Sequence, residues 1–137
     1  MQFLVYLLIY PILWCVSMLP FRVLYFVSDI VYFIVYYVIG YRKKTVRENL
    51  KLAFPDKTEA ERLQIEKESF QHLCDMFLEM AKTMTISRKQ IDKRFKFTNL
   101  DTYLELEKKG KSIALLCAHY ASYEWVVSSN HHITFKG

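Results

Sequence analysis

The sequence predicts an α/β protein with an N-terminal membrane helix and an interfacial helix, followed by the first, incomplete part of a layered α/β domain. Three observations lead there. Charge is segregated: of the 137 residues, 53% are hydrophobic, yet residues 1–40 contain only Arg22 and Asp29 as formal charges, and the other 97 hold 18 of the 19 Lys+Arg and 13 of the 14 Asp+Glu. Amphipathic helix patterns follow the break at Pro55. A short, wholly apolar run, "SIALLCA" from Ser112, then follows a helix, as an inner parallel strand does. Residues 1–40 are accordingly assigned as anchor and interfacial helix, and 41–137 as the N-terminal part of the α/β domain.

The leader "MQFLVYLLIYPILWCVSMLP" is close to the roughly 20 apolar residues that cross a bilayer core. It lacks the basic start and small-residue cleavage site of a secretory signal. Pro11 would kink the helix, which lipid-embedded helices tolerate. The next apolar stretch, Val23 to Gly40, carries Asp29 and tyrosines 25, 32, 36 and 37, with Tyr41 just beyond. Tyrosine belongs at the membrane interface, and a central carboxylate is costly in hydrocarbon. A membrane helix at about 3–19 with a half-buried interfacial helix at about 21–39 is therefore favoured over a two-span hairpin. Arg42, Lys43, Lys44, Arg47 and Lys51 follow as a juxtamembrane cluster that puts this side in the cytoplasm. The cluster reads either as a solvated face that sets topology or as a dock for anionic headgroups or an acidic carrier.

Thr58 and Glu61 have capping-box spacing, and Leu63, Phe70, Leu73, Phe77, Met80 and Met84 recur at steps of three, four and seven. This predicts a helix of roughly 26 residues with that stripe packed inward. Ser87 and Gln90 repeat the capping spacing for a short helix. "RFKFTN" alternates as a half-buried strand would. "LDTYLELEKKGKS" has acids early, lysines late and Gly110 at its end, the polarity that a helix dipole favours.

The predicted inner strand stops at His119, where ligands bind in open α/β sheets. Glu124 lies five residues on, at the start of a helix expected near Ser122. On one continuous helix the two side chains would diverge by about 140°. A strand-to-helix corner removes that obstacle. The carboxylate could then fix the imidazole tautomer while the other ring nitrogen takes a proton from a hydroxyl. By spacing alone the pair is weak, and a lone histidine after a strand is more often a satisfied structural residue, here in a membrane-anchored binding or scaffold protein.

The segments "LPFRVLYFVSD", "GYRKKTVRENLKLAFPDKT", "GKSIALLCAHYASYEW" and "FKG" together resemble the bacterial lipid A biosynthesis (lauroyl/myristoyl) acyltransferases of the lysophospholipid acyltransferase superfamily. The resemblance implies a His-x4-Asp/Glu motif with His119 as the base and Glu124 as its orienting partner. It implies acyl carrier protein as donor, a glycolipid hydroxyl as acceptor, and no cofactor, at the cytoplasmic face of the bacterial inner membrane. Two departures stand out. The family commonly has Gly-Asn-Trp where this chain has Ala121, Ser122 and Tyr123, and its members are considerably longer, so an N-terminal fragment, inactive alone, is expected.

The remaining candidates are bland. Cys15, Cys74 and Cys117 are far apart among apolar neighbours and read as reduced thiols. Adjacent His131 and His132 diverge by about 100° on a helix and read as surface residues rather than a metal pair. Lysines are spread among glutamates without a nucleic-acid recognition module.

Overall fold

The computed structural model of the chain describes residues 2–118 and 120–133, and every regular element among them is helical. In order these are α1 (Gln2–Met18), α2 (Phe21–Phe33) running on into a π-helical turn (Ile34–Ile39), α3 (Lys43–Ala53), α4 (Glu59–Lys82), α5 (Arg88–Arg94), α6 (Leu100–Lys108) and a 3-10 helix (Tyr123–His131).

Helix α1 continues through Pro11, and every side chain from Val5 to Cys15 is exposed. Tyr6, Tyr10 and Trp14 stack at four-residue steps, with ring centroids 5.1 and 6.2 Å apart. Only the end of the helix is tied down. Lys82 Nζ donates to the carbonyls of Ser17 and Leu19 at 2.6 and 2.8 Å, and the Thr85 hydroxyl also donates to Ser17 O. An ammonium beyond the last turn meets the negative end of the helix dipole and satisfies carbonyls that the helix cannot. Burial pushes the Lys82 ammonium below the usual lysine range, and the nearby Arg94 charge adds to the effect.

Helix α2 starts where Pro20 leaves its carbonyl free for the amides of Val23 and Leu24. It ends where Gly40, at φ 67°, reverses the chain at no steric cost, its N–H and that of Tyr41 both bonded to Val35 O. One face runs antiparallel along α4: Tyr25 meets Glu79, Gln71 donates to Asp29, and Tyr36 meets Glu66 and Phe70. Val23, Phe26, Ile30 and Phe33 remain bare on the other side. Helices α1 and α2 do not pack along each other; each is held by α4. Among the described residues, Phe21–Ile39 is the stretch long and apolar enough to cross a membrane, whereas α1, apolar over Val5–Met18, is shorter. The length criterion thus falls on the second apolar stretch, not on the leader to which the sequence assigned the span.

The capping box of α4 is present as read: Thr58 N–H donates to Glu61 Oε2 at 2.7 Å and Glu61 N–H to Thr58 Oγ1 at 3.3 Å. Ser87 stands at the start of α5, but its side chain makes no capping bond. Gly110, at φ 62°, closes α6.

Two expectations need correction. The buried row of α4 is Glu66, Phe70, Cys74 and Lys82, with Leu78 packed on the core, at steps of four. The expected stripe shares Phe70 with that row and has Leu73 half-buried, but is otherwise displaced outward, with Leu63, Met80 and Met84 exposed and Phe77 54% exposed. The displacement follows from paired charges, since both ionisable ends of the true row find partners. The strands at 94–99 and 112–118 are also absent. Phe95 has extended backbone and packs edge-on with Phe97, and Leu116 is 95% exposed, but neither segment has a partner ladder among the described residues. A strand is stable only through hydrogen bonds to a neighbour, so strand-like sequence without one stays irregular.

At the far end of α4, Glu66 is 1% exposed and engages two other elements. Arg47 of α3 donates in bidentate fashion, Nε to Oε2 at 2.8 Å and Nη2 to Oε1 at 3.2 Å, and the Tyr36 hydroxyl donates to Oε1 at 2.9 Å. Lys43 lies 3.8 Å from the centroid of the Tyr36 ring. Burial pushes the Glu66 carboxyl up, but the bonds from Arg47 and Tyr36 outweigh it and hold the carboxyl below the usual glutamate range. A carboxyl lowered on folding stabilises the fold above its unfolded pKa of about 4.3, and that contribution is lost as pH falls through the lower folded value. Arg47→Ala, which leaves the carboxylate buried with one partner, should cost about 2 kcal/mol at neutral pH, less than for a fully enclosed pair because Arg47 is half exposed. Denaturant unfolding in detergent should show this loss, and Glu66→Gln should remove the acid-side fall in stability that the parent shows below about pH 4.3.

Candidate functional site

The predicted strand tip is a corner in the backbone. After the irregular segment 112–118 the chain turns tightly, with N–H bonds from Tyr120 to Ala118 O and from Tyr123 to Ala121 O, both 2.9 Å. Between them Ala121 adopts φ 51°, a left-handed conformation that non-glycine residues rarely take. The 3-10 helix then begins at Tyr123 behind Ser122. No helix runs unbroken from 120 to 124. His119 itself lies outside the described residues, as does the trailing 134–137 segment. Glu124 is half-buried in the first turn of the 3-10 helix. A hydrogen bond to Glu124 pushes the Tyr123 hydroxyl above the usual tyrosine range, with burial adding to the shift.

The corner is held from below. Trp125 is buried against Phe21, Leu24 and Ile91, with its ring edge-on to Phe21 at 6.3 Å between centroids. Its indole N–H donates to the backbone carbonyl of Glu79 at 3.4 Å. The Glu79 carboxylate receives the Tyr25 hydroxyl at 2.5 Å on one oxygen and the Ser122 hydroxyl on the other. Arg94 spreads over the Phe21 ring, 3.7 Å from its centroid. Tyr25, Glu79, Arg94, Tyr120, Ser122 and Trp125 line a cleft of about 460 Å³. A carboxylate, three hydroxyls and a guanidinium on a buried aromatic floor can bind and orient a polar headgroup.

Sequence reasoning expected a corner before Glu124, and the backbone has one, but it did not single out Glu79, Tyr25 or Arg94 as site residues. Glu79 carries no local signal, because one acid between Leu78 and Met80 looks like any polar position on an amphipathic helix. The basic cluster after residue 41 divides: Lys43 and Arg47 are engaged with Tyr36 and Glu66, while Arg42, Lys44 and Lys51 are exposed. His132 is half-buried rather than free on the surface, with Nε2 3.8 Å from Asp92 and its ring against Phe97. Cys74 is buried and Cys15 and Cys117 exposed, all three free.

A model of the family described as bacterial lipid A biosynthesis acyltransferase matches residues 1–129. No curated protein and no solved structure matches the chain.

The left-handed Ala121 yields a test of the corner. A Cβ at positive φ costs on the order of 1 kcal/mol, which glycine avoids and a β-branched residue worsens. Ala121→Gly should hold or raise the unfolding temperature, and Ala121→Val should lower it by several degrees; thermal unfolding of the two variants in detergent, side by side, reads this.

Proposed function

The chain belongs to the bacterial lipid A biosynthesis acyltransferase family, and on that premise we propose that it transfers a fatty acyl group from acyl carrier protein to a hydroxyl of a lipid A precursor or related glycolipid. His119 is the general base and Glu124 the acid that orients it. One observation carries this reading: the backbone turns at Ala121, between the two positions, so that residues five apart can face one another. A carboxylate has two oxygens, so Glu124 can keep the Tyr123 hydroxyl on one and hold an imidazole N–H with the other. The free ring nitrogen takes the proton of the acceptor hydroxyl as its oxygen attacks the thioester carbonyl. Collapse of the tetrahedral intermediate breaks the C–S bond, and the departing thiolate takes the proton back, giving an ester and a free thiol. The nucleophile comes from the substrate, so the chain needs no serine or cysteine of its own.

Location supports the same reading. Helix α1 is bare and apolar on all sides, as suits hydrocarbon. Helix α2 offers lipid one apolar face and gives the other to α4, whose charges belong in water, which supports an interfacial α2 although Phe21–Ile39 is long enough to span, and leaves the shorter α1 as the segment proposed to insert. The exposed cations of the segment after Tyr41 support a cytoplasmic disposition of this side, at the inner membrane. Residues 1–40 act as anchor and interfacial layer, and 41–137 as part of the acyltransferase domain.

In membranes containing the full-length enzyme, His119→Ala should cut acyl transfer from carrier protein to lipid A precursor by about 10³-fold and Glu124→Gln by about 10²-fold. Transfer near the parent rate in His119→Ala would remove the base from the mechanism. The assay is mass spectrometry of the acylated lipid.

A further inference from the structure

Glu124 cannot do its work unless the corner that carries it is fixed, and the residue that fixes it lies on another helix. We propose that Glu79 is a positioning residue for the acyl transfer, and that the chain Tyr25–Glu79–Ser122 couples the interfacial helix α2 to the catalytic corner. The inference rests on the reading of His119 and Glu124 given above.

The geometry is specific. Glu79 is buried on α4, and all its polar atoms that meet other elements point to the corner or to α2. Its side chain accepts the Ser122 hydroxyl, and its backbone carbonyl accepts the Trp125 indole. These two residues bracket Glu124 in sequence, and Ser122 directly follows the left-handed Ala121. The second carboxylate oxygen is held by Tyr25 at 2.5 Å, so the acceptor of the corner is itself fixed from α2. A backbone held at positive φ without glycine persists only where its surroundings over-determine it. Here the surroundings are two hydrogen bonds to one residue and an aromatic contact beneath them. Where a relative with glycine at this position could turn without strain, this chain turns with alanine and a clamp. The polar atoms of Glu79 act on the orientation of Glu124, not on the reacting atoms.

The consequence is a kinetic signature. Loss of the clamp should reduce the fraction of molecules with a correctly held acid–base pair, lowering kcat while the acceptor KM stays nearly constant. Because Glu79 and Ser122 act through one bond, removing both should cost no more than removing either. Glycine at 121 should make the clamp partly dispensable.

The test uses full-length enzyme in detergent micelles containing lipid A precursor, with Glu79→Gln, Ser122→Ala, the double variant, and Glu79→Gln combined with Ala121→Gly. Circular dichroism and thermal unfolding give the folded fraction, so that kcat is expressed per folded molecule. The expected result is a fall in kcat of about 10- to 100-fold in either single variant, KM within threefold, no further loss in the double variant, and partial recovery with Ala121→Gly. The pH at which kcat is half-maximal should stay where it is in the parent, since the base is unchanged. Should Glu79→Gln not fold, Tyr25→Phe and Ser122→Ala, which leave the carboxylate in place, carry the same comparison with smaller losses. Single variants within twofold of the parent kcat per folded molecule, or losses that multiply in the double variant, overturn the proposal. Unaltered transfer in His119→Ala and Glu124→Gln would instead overturn the reading of the site on which it rests.

Discussion

The architecture depends on two charges that α4 carries into its buried row. Glu66 and Lys82 stand at the two ends of its i, i+4 ridge, about 24 Å apart along the axis and about 160° apart around it, and neither is stable there alone. Each therefore recruits a different part of the chain. Glu66 draws Arg47 and Tyr36 together, which fixes α3 and the π-helical end of α2 to α4. Lys82 takes the carbonyls of Ser17 and Leu19, which fixes the end of α1 at the other pole. Between the poles, Phe70, Cys74 and Leu78 supply ordinary apolar contact. The helix acts as a spine whose ends are specified by charge and whose middle is specified by packing.

That division explains how much of the fold was legible in the residues. Capping chemistry is local, and part of it was readable: Thr58 with Glu61 starts α4 as the spacing requires and Gly110 ends α6 at positive φ, whereas Ser87 makes no capping bond. Which face of α4 turns inward was not readable, because hydropathy counts Glu66 and Lys82 as surface residues. It therefore selected the stripe through Phe77 and Met80, which stays largely exposed. The information lay in residues 19 and 65 positions away, in Arg47 and Ser17, and no window along the helix contains them. The same limit hid Glu79, whose partners come from α2 and the 3-10 helix.

The strands failed for a different reason. "SIALLCA" has strand composition, but a strand is a relation between segments, and the described residues offer no second one. Its backbone amides and carbonyls meet no ladder, and Leu116 stands almost fully in the open. The corner beyond it is nonetheless formed, because it depends on α4 and α2 and not on a sheet. The candidate site thus has two layers: the pair proposed from spacing and family resemblance, and the contacts beneath the corner, which come only from the packed helices. Where the sequence read Ala121 as a departure from a glycine turn, the backbone makes the turn regardless and leaves the alanine strained.

One cluster then joins the membrane-facing part of the chain to the corner. Phe21 and Leu24 at the start of α2, Val16 and Leu19 at the end of α1, Leu78 on α4, Ile91 on α5 and Trp125 of the corner all pack together. Residues that by composition belong beside lipid therefore also form the floor under Trp125. An acceptor lipid whose tails stay in the bilayer has its headgroup confined to a thin layer at the surface. On the proposed reading, the corner that carries Glu124, packed through Trp125 on Phe21 and Leu24 of α2, would be held at a constant height relative to that layer. Binding would then be a search in two dimensions, and the entropy of bringing hydroxyl to base would be reduced before any headgroup contact is made. Burying aromatic area between α2 and the corner, rather than linking them by a flexible segment, is what makes that height a property of the fold.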